Sequence, residues 1–152
     1  MGTFTIGFAS DHAGFALKEK LAEYVMGLGY SVKDFGCYTP ERCDYPDYAH
    51  PLAEAVAGGV CRFGIAVCYT ANGMSMSLNR HHGVRAAICW QPELAGLARK
   101  HNDANVCSLA AKYTDEALAY SIVDAFLSNS FEGGRHTPRL AKIECVPTPE
   151  IL

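Results

Sequence analysis

Short apolar segments alternate with amphipathic segments about five times along this chain of 152 residues. The segment FGIAVC, residues 63–68, is apolar throughout, which is typical of a central strand in a parallel sheet. In residues 11–30, apolar side chains recur at three- and four-residue intervals, which is typical of a helix. The alternation therefore predicts an α/β fold in which helices cover both faces of a five-stranded parallel sheet.

Local signals also predict where the elements begin and end. Pro92 suits the first turn of a helix, Thr114 is a favourable N-cap, and Gly29 is a suitable stop signal. A short helix is expected in the tail, residues 131–152, before a proline-rich end. The predicted strands are 3–9, 31–36, 63–68, 84–90 and 104–110, and the predicted helices are 11–30, 49–59, 72–81, 92–101 and 114–129.

Composition limits the class of protein. A length of 152 residues with 49% hydrophobic side chains suits one compact domain spanning residues 1–152. The net charge of −3 offers no extended positive surface for nucleic acid or anionic lipid. Any phosphate site must therefore be a local cluster of Arg, Lys or His. No apolar run reaches the ~20 residues that a membrane-spanning helix needs, so no membrane association is expected.

The seven cysteines are an odd number, and no two of them form a CxxC pair. A disulfide framework or a structural zinc site is therefore not expected. Several cysteines lie in apolar runs, where a free thiol packs as a small hydrophobic group. The first segment, MGTFTIGFAS, lacks the basic flank of a signal peptide. These features predict a protein of the reducing cytoplasm.

Parallel α/β proteins bind ligands at the carboxyl ends of their strands. Cys68 ends the third predicted strand and faces the start of a helix, whose dipole is expected to lower the thiol pKa and favour the thiolate. Such a thiolate suits a nucleophile or a base. Asp11 and His12 follow the first strand. They suit either a helix cap and a surface residue, or a carboxylate and an imidazole that contact sugar hydroxyls.

Two further pairs of polar residues have a structural and a functional interpretation. His101 and Asn102 end the fourth helix, where they suit either C-terminal capping or acid–base chemistry with hydroxyl binding. Arg135 and Arg139 lie four residues apart, so a helical tail would place them on one face. Such a pair is either a solvated basic face or a clamp for phosphate.

Several longer motifs follow one another in the order found in one family. The motifs are SDHAGFALKEKL, DYPDYA, the Cys68 loop with NGMSMSLNR, GVRAAIC, ARKHNDANV, IVDAFL and FEGGRHTPRLAKI. They cover nearly the whole chain and resemble the RpiB/LacAB sugar-phosphate isomerases, most closely the RpiB branch. The combination of HNDAN with FEGGRH is far more specific than a lone glycine pattern.

This resemblance implies a Rossmann-like three-layer α/β/α sandwich. It implies a homodimer or a dimer of dimers whose active sites are shared between subunits. The implied reaction is the reversible interconversion of an aldose phosphate and a ketose phosphate, here ribose 5-phosphate and ribulose 5-phosphate, without a metal or an organic cofactor.

The resemblance also implies residue roles. Cys68 would shuttle a proton between C1 and C2 through an enediolate, assisted by Thr70, and His101 would open the furanose ring. Asp11 would lie beside the sugar as a further catalytic residue. Among the other implied substrate contacts, His12 lies near the sugar, and Tyr45 and Asn102 contact hydroxyls. The implied anion loop is formed by the backbone of Tyr69, Thr70, Ala71, Asn72 and Gly73. The implied phosphate contacts are Arg135, Arg139 and Lys112, and Lys112 stands where the family often has arginine.

The loop after Cys68 departs from the family pattern. The family commonly has Cys-Gly-Thr/Ser-Gly, whereas this chain has Cys68-Tyr69-Thr70-Ala71. Each replacement keeps its backbone N–H group, but a positive φ costs a non-glycine residue roughly 1–2 kcal/mol.

Two alternatives therefore stand beside a pentose-phosphate isomerase. One is an isomerase of another aldose phosphate, such as a hexose 6-phosphate or a tetrose 4-phosphate. The other is a sugar-phosphate-binding homologue with impaired turnover, against which the retained Cys68, His101 and tail arginines argue. A nucleotide-binding protein has only the fold class in its favour, since the sequence contains neither GxGxxG nor a Walker loop.

Overall fold

The computed structural model describes residues 4–145, and these form one sheet of five parallel strands in the order β2-β1-β3-β5-β4. The predicted five-stranded parallel sheet is confirmed. Residues 1–3 and the proline-rich end at 146–152 lie outside the described residues. The strands are β1 (Thr5–Ser10), β2 (Ser31–Asp34), β3 (Phe63–Cys68), β4 (Ala86–Ile88) and β5 (Val106–Ala110); the helices are α1 (Phe15–Gly27), α2 (Pro46–Ala57), α3 (Asn72–Leu78), α4 (Pro92–Asn102), α5 (Glu116–Ser128) and α6 (Thr137–Leu140), which follows a 3₁₀ turn (Gly134–His136).

Helices cover both faces of the sheet because side chains along each strand alternate between two apolar cores. Phe8 and Ile65 point into one core, where they meet α1, α4 and α5. Their neighbours Ala9 and Ala66 point into the other core, where they meet α2 and α3. Both faces are therefore apolar, and the three-layer α/β/α sandwich is confirmed.

Strand β3 is the middle strand and is buried over its whole length. It pairs with β1 on one side and with β5 on the other. The register places Val67 opposite Ser10 and Cys68 opposite Ala110. The continuous apolar run 63–68 follows from this position, because a strand covered on both faces has no polar side.

The element boundaries differ from the predicted ones where a neighbouring residue supplies a better signal. Helix α5 is capped by Asp115 rather than by Thr114, since the Asp115 carboxylate accepts the Leu118 N–H at 2.8 Å. Helix α2 begins earlier than predicted, with Pro46 in its first turn. Gly29 stops α1 as predicted and adopts a left-handed φ of +93°. None of the helices within 4–145 is long and apolar enough to span a membrane.

Candidate functional site

Three turns meet at the carboxyl edge of the sheet, after β1, β3 and β5. The Asp11 N–H donates to the Val67 carbonyl at 3.3 Å, which joins the first turn to the end of β3. The Ala111 N–H donates to the Cys68 carbonyl at 2.9 Å, and the Lys112 N–H donates to the Tyr69 carbonyl at 3.0 Å. These contacts gather Asp11, Cys68, Tyr69 and Lys112 at one edge, beside the topological switch point between β1 and β3.

Gly14 determines how closely the first turn approaches β3. A Cβ atom at Gly14 would run into the Val67 carbonyl, so no other residue fits here without movement of the backbone. The Gly14 N–H donates to the Asp11 carboxylate at 3.0 Å, so Asp11 holds the turn that leads into α1, whereas the N-cap residue of the helix is Gly14. Asp11 is nevertheless buried, and its charge acts on the Cys68 thiol. Asp11 therefore stabilises the turn before α1 and also lies beside Cys68, and these two positions are compatible.

The Cys68 thiol lies under the start of α3, and its residue is only 4% exposed. Burial raises the pKa of this thiol above its ordinary value, and the Asp11 carboxylate raises it further. The backbone N–H groups of Met74, Ala71 and Thr70 lower the thiol pKa but do not outweigh burial. The expected lowering of the Cys68 pKa is therefore wrong in its net direction, although the predicted N–H donors are present.

The loop after Cys68 keeps the backbone shape that glycine would allow. Ala71 has a φ of +66°, which is left-handed, and it is fully buried at the start of α3. Tyr69 turns its ring outward and is 50% exposed. The Lys112 ammonium lies 5.7 Å from the centre of that ring, which is a cation–π distance. Tyr69 and Lys112 thus contact each other, and both differ from the residues common in the family that the motifs resemble.

Tyr45 covers the first turn of α3. A Cβ atom at Gly73 would run into the Tyr45 ring, so the tyrosine packs where only glycine leaves room. His12 lies at the same edge and accepts the Cys43 N–H through Nδ1 at 3.3 Å. Thr70 is exposed beside these residues. The carboxyl edge thus brings together the predicted site residues Asp11, His12, Tyr45, Cys68, Tyr69, Thr70, Ala71, Asn72, Gly73 and Lys112.

The remaining predicted residues lie at the opposite, amino edge of the sheet. Helix α4 returns antiparallel to the strands, so His101 and Asn102 at its end come before the start of β5. Arg85, which precedes β4, donates through Nε to the Asn102 carbonyl at 3.1 Å. From Gly64, level with the start of β5, to Cys68 there are four residue steps, or roughly 13 Å along the strand. One chain therefore does not bring His101 and Asn102 to Cys68.

The buried Arg99 fixes the end of α4. Its guanidinium donates through Nη1 to the Asp103 carboxylate at 2.8 Å and to the Ala104 carbonyl at 2.6 Å. Asp103 ends the helix with a left-handed φ of +43°. Phe63 lies against the Arg99 guanidinium, 4.6 Å from its ring centre. The position of His101, two residues after Arg99, is thus anchored by a buried cation.

The tail folds back against His101. The His136 ring stacks on the His101 ring, with centroids 4.4 Å apart and planes 17° apart. His136 is buried, and burial lowers its pKa below the ordinary value, with Arg135, His101 and Arg139 adding to the effect. Arg135 and Arg139 are exposed at the same edge. His136 was not predicted from the sequence, where the only signal for it is its place inside the FEGGRH motif.

Two cavities lie along the amino edge. One of about 480 Å³ lies under Arg62 at the starts of β1 and β3, and neither cavity is lined by Cys68. The other cavity, of about 310 Å³, is lined by Asn79, Val84, Arg85, Ala86, Ala87, Asn102, Ala104, Ile143 and Glu144.

The sheet order, with polar residues grouped at the switch point, defines an α/β protein of the Rossmann-like three-layer class. The family model described as Ribose/Galactose Isomerase matches residues 6–143. The chain belongs to that family, which is the RpiB/LacAB family of sugar-phosphate isomerases that its motifs resemble.

Individual relatives agree with this assignment. Ribose-5-phosphate isomerase B of Escherichia coli is 42% identical over 141 residues, which cover 93% of this chain and 95% of that protein. The crystal structure of a ribose 5-phosphate isomerase from Thermotoga maritima is 46% identical with a TM-score of 0.91, covering 93% of this chain and 98% of that chain. Ribose-5-phosphate isomerase B from Mycoplasma genitalium with bound ribulose-5-phosphate is 38% identical with a TM-score of 0.89, covering 94% of this chain and 95% of that chain.

Replacing Ala71 by glycine tests the strain in the loop. We expect Ala71→Gly to leave the free energy of unfolding nearly unchanged. Release of roughly 1–2 kcal/mol of strain in the left-handed backbone offsets the stability that an alanine-to-glycine change normally loses. Ala66→Gly is the matched control, since Ala66 is equally buried and lies in β3. For Ala66→Gly we expect the free energy of unfolding to fall by about 1.5 kcal/mol, because the unfolded chain gains entropy and a buried methyl group is lost. Urea unfolding of both variants measures the difference, and equal losses would contradict strain at Ala71.

Proposed function

We propose that this chain interconverts ribose 5-phosphate and ribulose 5-phosphate through an enediolate. The observation that carries the proposal is the thiol of Cys68, held at the end of the central strand between the Asp11 carboxylate and the N–H groups that open α3. Relatives that span almost the whole chain are named ribose-5-phosphate isomerase B, and one of them was solved with ribulose-5-phosphate. The seven free thiols suit an enzyme of the reducing cytoplasm.

Cys68 acts as the base in this scheme. Its thiolate takes the proton from C2 of the open aldose and returns it to C1, while the C2 hydroxyl proton passes to the C1 oxygen. The raised thiol pKa makes the thiolate a stronger base but leaves less of it ionised at neutral pH. The backbone N–H groups at the start of α3 stabilise the negative charge that develops on the enediolate oxygens. Asp11 lies beside the reacting carbons, and Tyr45 and His12 enclose the sugar.

The rest of the site comes from a second copy of the chain. His101, Asn102, Arg135 and Arg139 are at the amino edge, away from Cys68, so one chain holds two half-sites instead of one whole site. In a homodimer the amino edge of one protomer meets the carboxyl edge of the other. His101 then opens the furanose ring, and the exposed arginines bind the phosphate and position the reacting carbons.

Tyr69 and Lys112 favour a second candidate, an isomerase whose best substrate is another aldose phosphate. The Lys112 ammonium is held over the Tyr69 ring, at the position where the family often has an arginine that reaches the phosphate. A lysine tied to an aromatic face reaches less far than an arginine and binds phosphate as a point charge. A shorter or longer sugar would shift the phosphate relative to this pair.

The third candidate, a binding protein with impaired turnover, has less support. It requires that the two replaced glycines spoil the backbone of the loop. Ala71 nevertheless adopts the left-handed conformation, and the Tyr69 ring points outward. The N–H donors therefore remain directed at the position next to Cys68.

A coupled assay against a panel of four- to six-carbon aldose phosphates tests the function. We expect the highest kcat/KM on ribose 5-phosphate, and we expect Cys68→Ala to lower it by roughly 10²–10⁴-fold because a general base is lost. Cys61→Ala, another buried thiol in the same core, is the control and should keep its activity. A higher kcat/KM on a hexose or tetrose phosphate would favour the second candidate. Loss of less than tenfold in Cys68→Ala would rule out this thiol as the base.

The pH dependence of kcat/KM tests the coupling between Asp11 and Cys68. The rate should rise with pH as the thiol ionises, because the thiolate is the active form. The Asp11 carboxylate raises the Cys68 pKa, so Asp11→Asn should move the rising limb to lower pH. Asparagine still accepts the Gly14 N–H, so the turn that leads into α1 is kept. Asp124→Asn, on the exposed face of α5, is the control; an unmoved limb in Asp11→Asn would contradict the coupling.

Mixed dimers test the shared site. Cys68→Ala removes the base from the carboxyl edge, and Arg139→Ala removes a phosphate contact from the amino edge. When the two inactive variants are mixed, half of the dimers are hybrids with one intact site, so we expect about one quarter of wild-type activity. Cys68→Ala mixed with the Cys68→Ala/Arg139→Ala double variant should regain none. Mass spectrometry verifies that the subunits have exchanged. If the first mixture then regains no isomerase activity, the sites are not shared.

A further inference from the structure

Three potential metal ligands converge at the amino edge. One ligand atom each from His101, Glu132 and His136 lies within 4.8 Å of the other two. They come from separate segments: the end of α4, the irregular tail at residue 132 and the 3₁₀ turn. The Glu132 N–H donates to the Lys100 carbonyl at 3.0 Å, which holds the tail beside the helix end.

The buried imidazole of His136 has an atom without a partner. Its side chain is only 8% exposed, and its Nε2 atom is fully buried with no hydrogen-bond partner among the described residues. The nearest Glu132 oxygen is 3.9 Å away, which is too far for a hydrogen bond. Buried polar atoms in folded proteins nearly always have a partner. The unpaired His136 nitrogen, which lies near the Glu132 carboxylate, therefore indicates a bound group that would contact both.

We propose that His101, Glu132 and His136 form a binding site for a first-row divalent cation of the Zn²⁺ class. Two imidazole nitrogens and one carboxylate oxygen are a donor set that zinc accepts, with the fourth position left to water. The same set is poor for Mg²⁺ and Ca²⁺, which prefer oxygen ligands alone.

The geometry requires a small closure. Ligand atoms around tetrahedral zinc lie ~3.4 Å apart, so the three groups must close by roughly 1 Å. The two ring planes are nearly parallel, and a metal ion lies near the plane of each imidazole that binds it, so one ring has to tilt. His101 is the more exposed of the two and Glu132 is exposed, whereas His136 is held in the interior. The site therefore forms by movement of His101 and Glu132 toward a fixed His136. The two exposed arginines nearby oppose the cation and limit its affinity.

Occupation of this site would inhibit the enzyme. A cation bound to His101 takes the nitrogen lone pair that proton transfer to the furanose ring needs. This consequence rests on the proposed function, whereas metal binding itself does not. The inhibition should be reversed by a chelator.

Calorimetric titration of the full chain with Zn²⁺ tests the site directly. We expect Glu132→Gln and His136→Gln to weaken zinc binding by at least about tenfold, because each removes a ligand. Glu132 is exposed, so Glu132→Gln should fold normally even if His136→Gln does not. The matched controls are Glu144→Gln, whose carboxylate contacts the exposed His82 at 3.0 Å, and His81→Gln, from the His50–His81 pair. Both controls should bind as the wild type does, and Mg²⁺ should not bind.

Cobalt substitution separates this site from the free thiols. Co²⁺ bound by nitrogen and oxygen gives visible ligand-field bands, whereas cysteine ligands add intense sulfur-to-metal charge transfer. We expect bands without charge transfer in the wild type and their loss in Glu132→Gln. Wild-type zinc affinity in Glu132→Gln, or a spectrum dominated by sulfur, would overturn the proposal. Zinc binding that depends on Glu132 but leaves turnover unchanged would support the site and contradict the role of His101 in ring opening.

Discussion

The pairing of β3 with β1 on one side and β5 on the other is the constraint on which the rest of the structure depends. This pairing places β3 in the middle of the sheet, where helices cover both of its faces, and ends all three strands at one edge. It also fixes the return direction of every helix, because each crossover must bring the chain back to the opposite edge before the next parallel strand. The two groups of polar residues are separated for that reason. Their separation is a property of parallel topology and needs no particular side chain.

At the carboxyl edge, close backbone contacts decide the chemistry of Cys68. Gly14 lets the first turn press against Val67, and this brings the Asp11 carboxylate near the thiol. Gly73 lets the Tyr45 ring pack against the start of α3. Burial is the largest influence on the Cys68 pKa, and the Asp11 carboxylate acts in the same direction. The carboxyl edge therefore pairs a thiol of raised pKa with backbone N–H donors that lie beside it.

Most of the fold could be predicted from local patterns. The apolar run 63–68 identified the central strand, and the alternation of elements identified the layers, because both depend only on neighbouring residues. The placement of Cys68 at a strand end followed from the same patterns. The net pKa of Cys68 could not be predicted, since it depends on how deeply the folded chain buries the thiol and on the charge of Asp11 from a different turn. His136 was missed because its burial arises from a tail that folds back on α4, a contact between distant parts of the sequence.

The separation of the two edges also has a genetic consequence. In a dimer with shared sites, a chain that is damaged at one edge only still leaves one working site when it pairs with an intact chain. A chain damaged at both Cys68 and Arg139 spoils both sites of any dimer that it enters. Such an allele would be dominant over a normal copy, whereas either single substitution would be largely recessive. Where sites are shared in this way, the parallel sheet determines the inheritance of defects as well as the position of the two groups of polar residues.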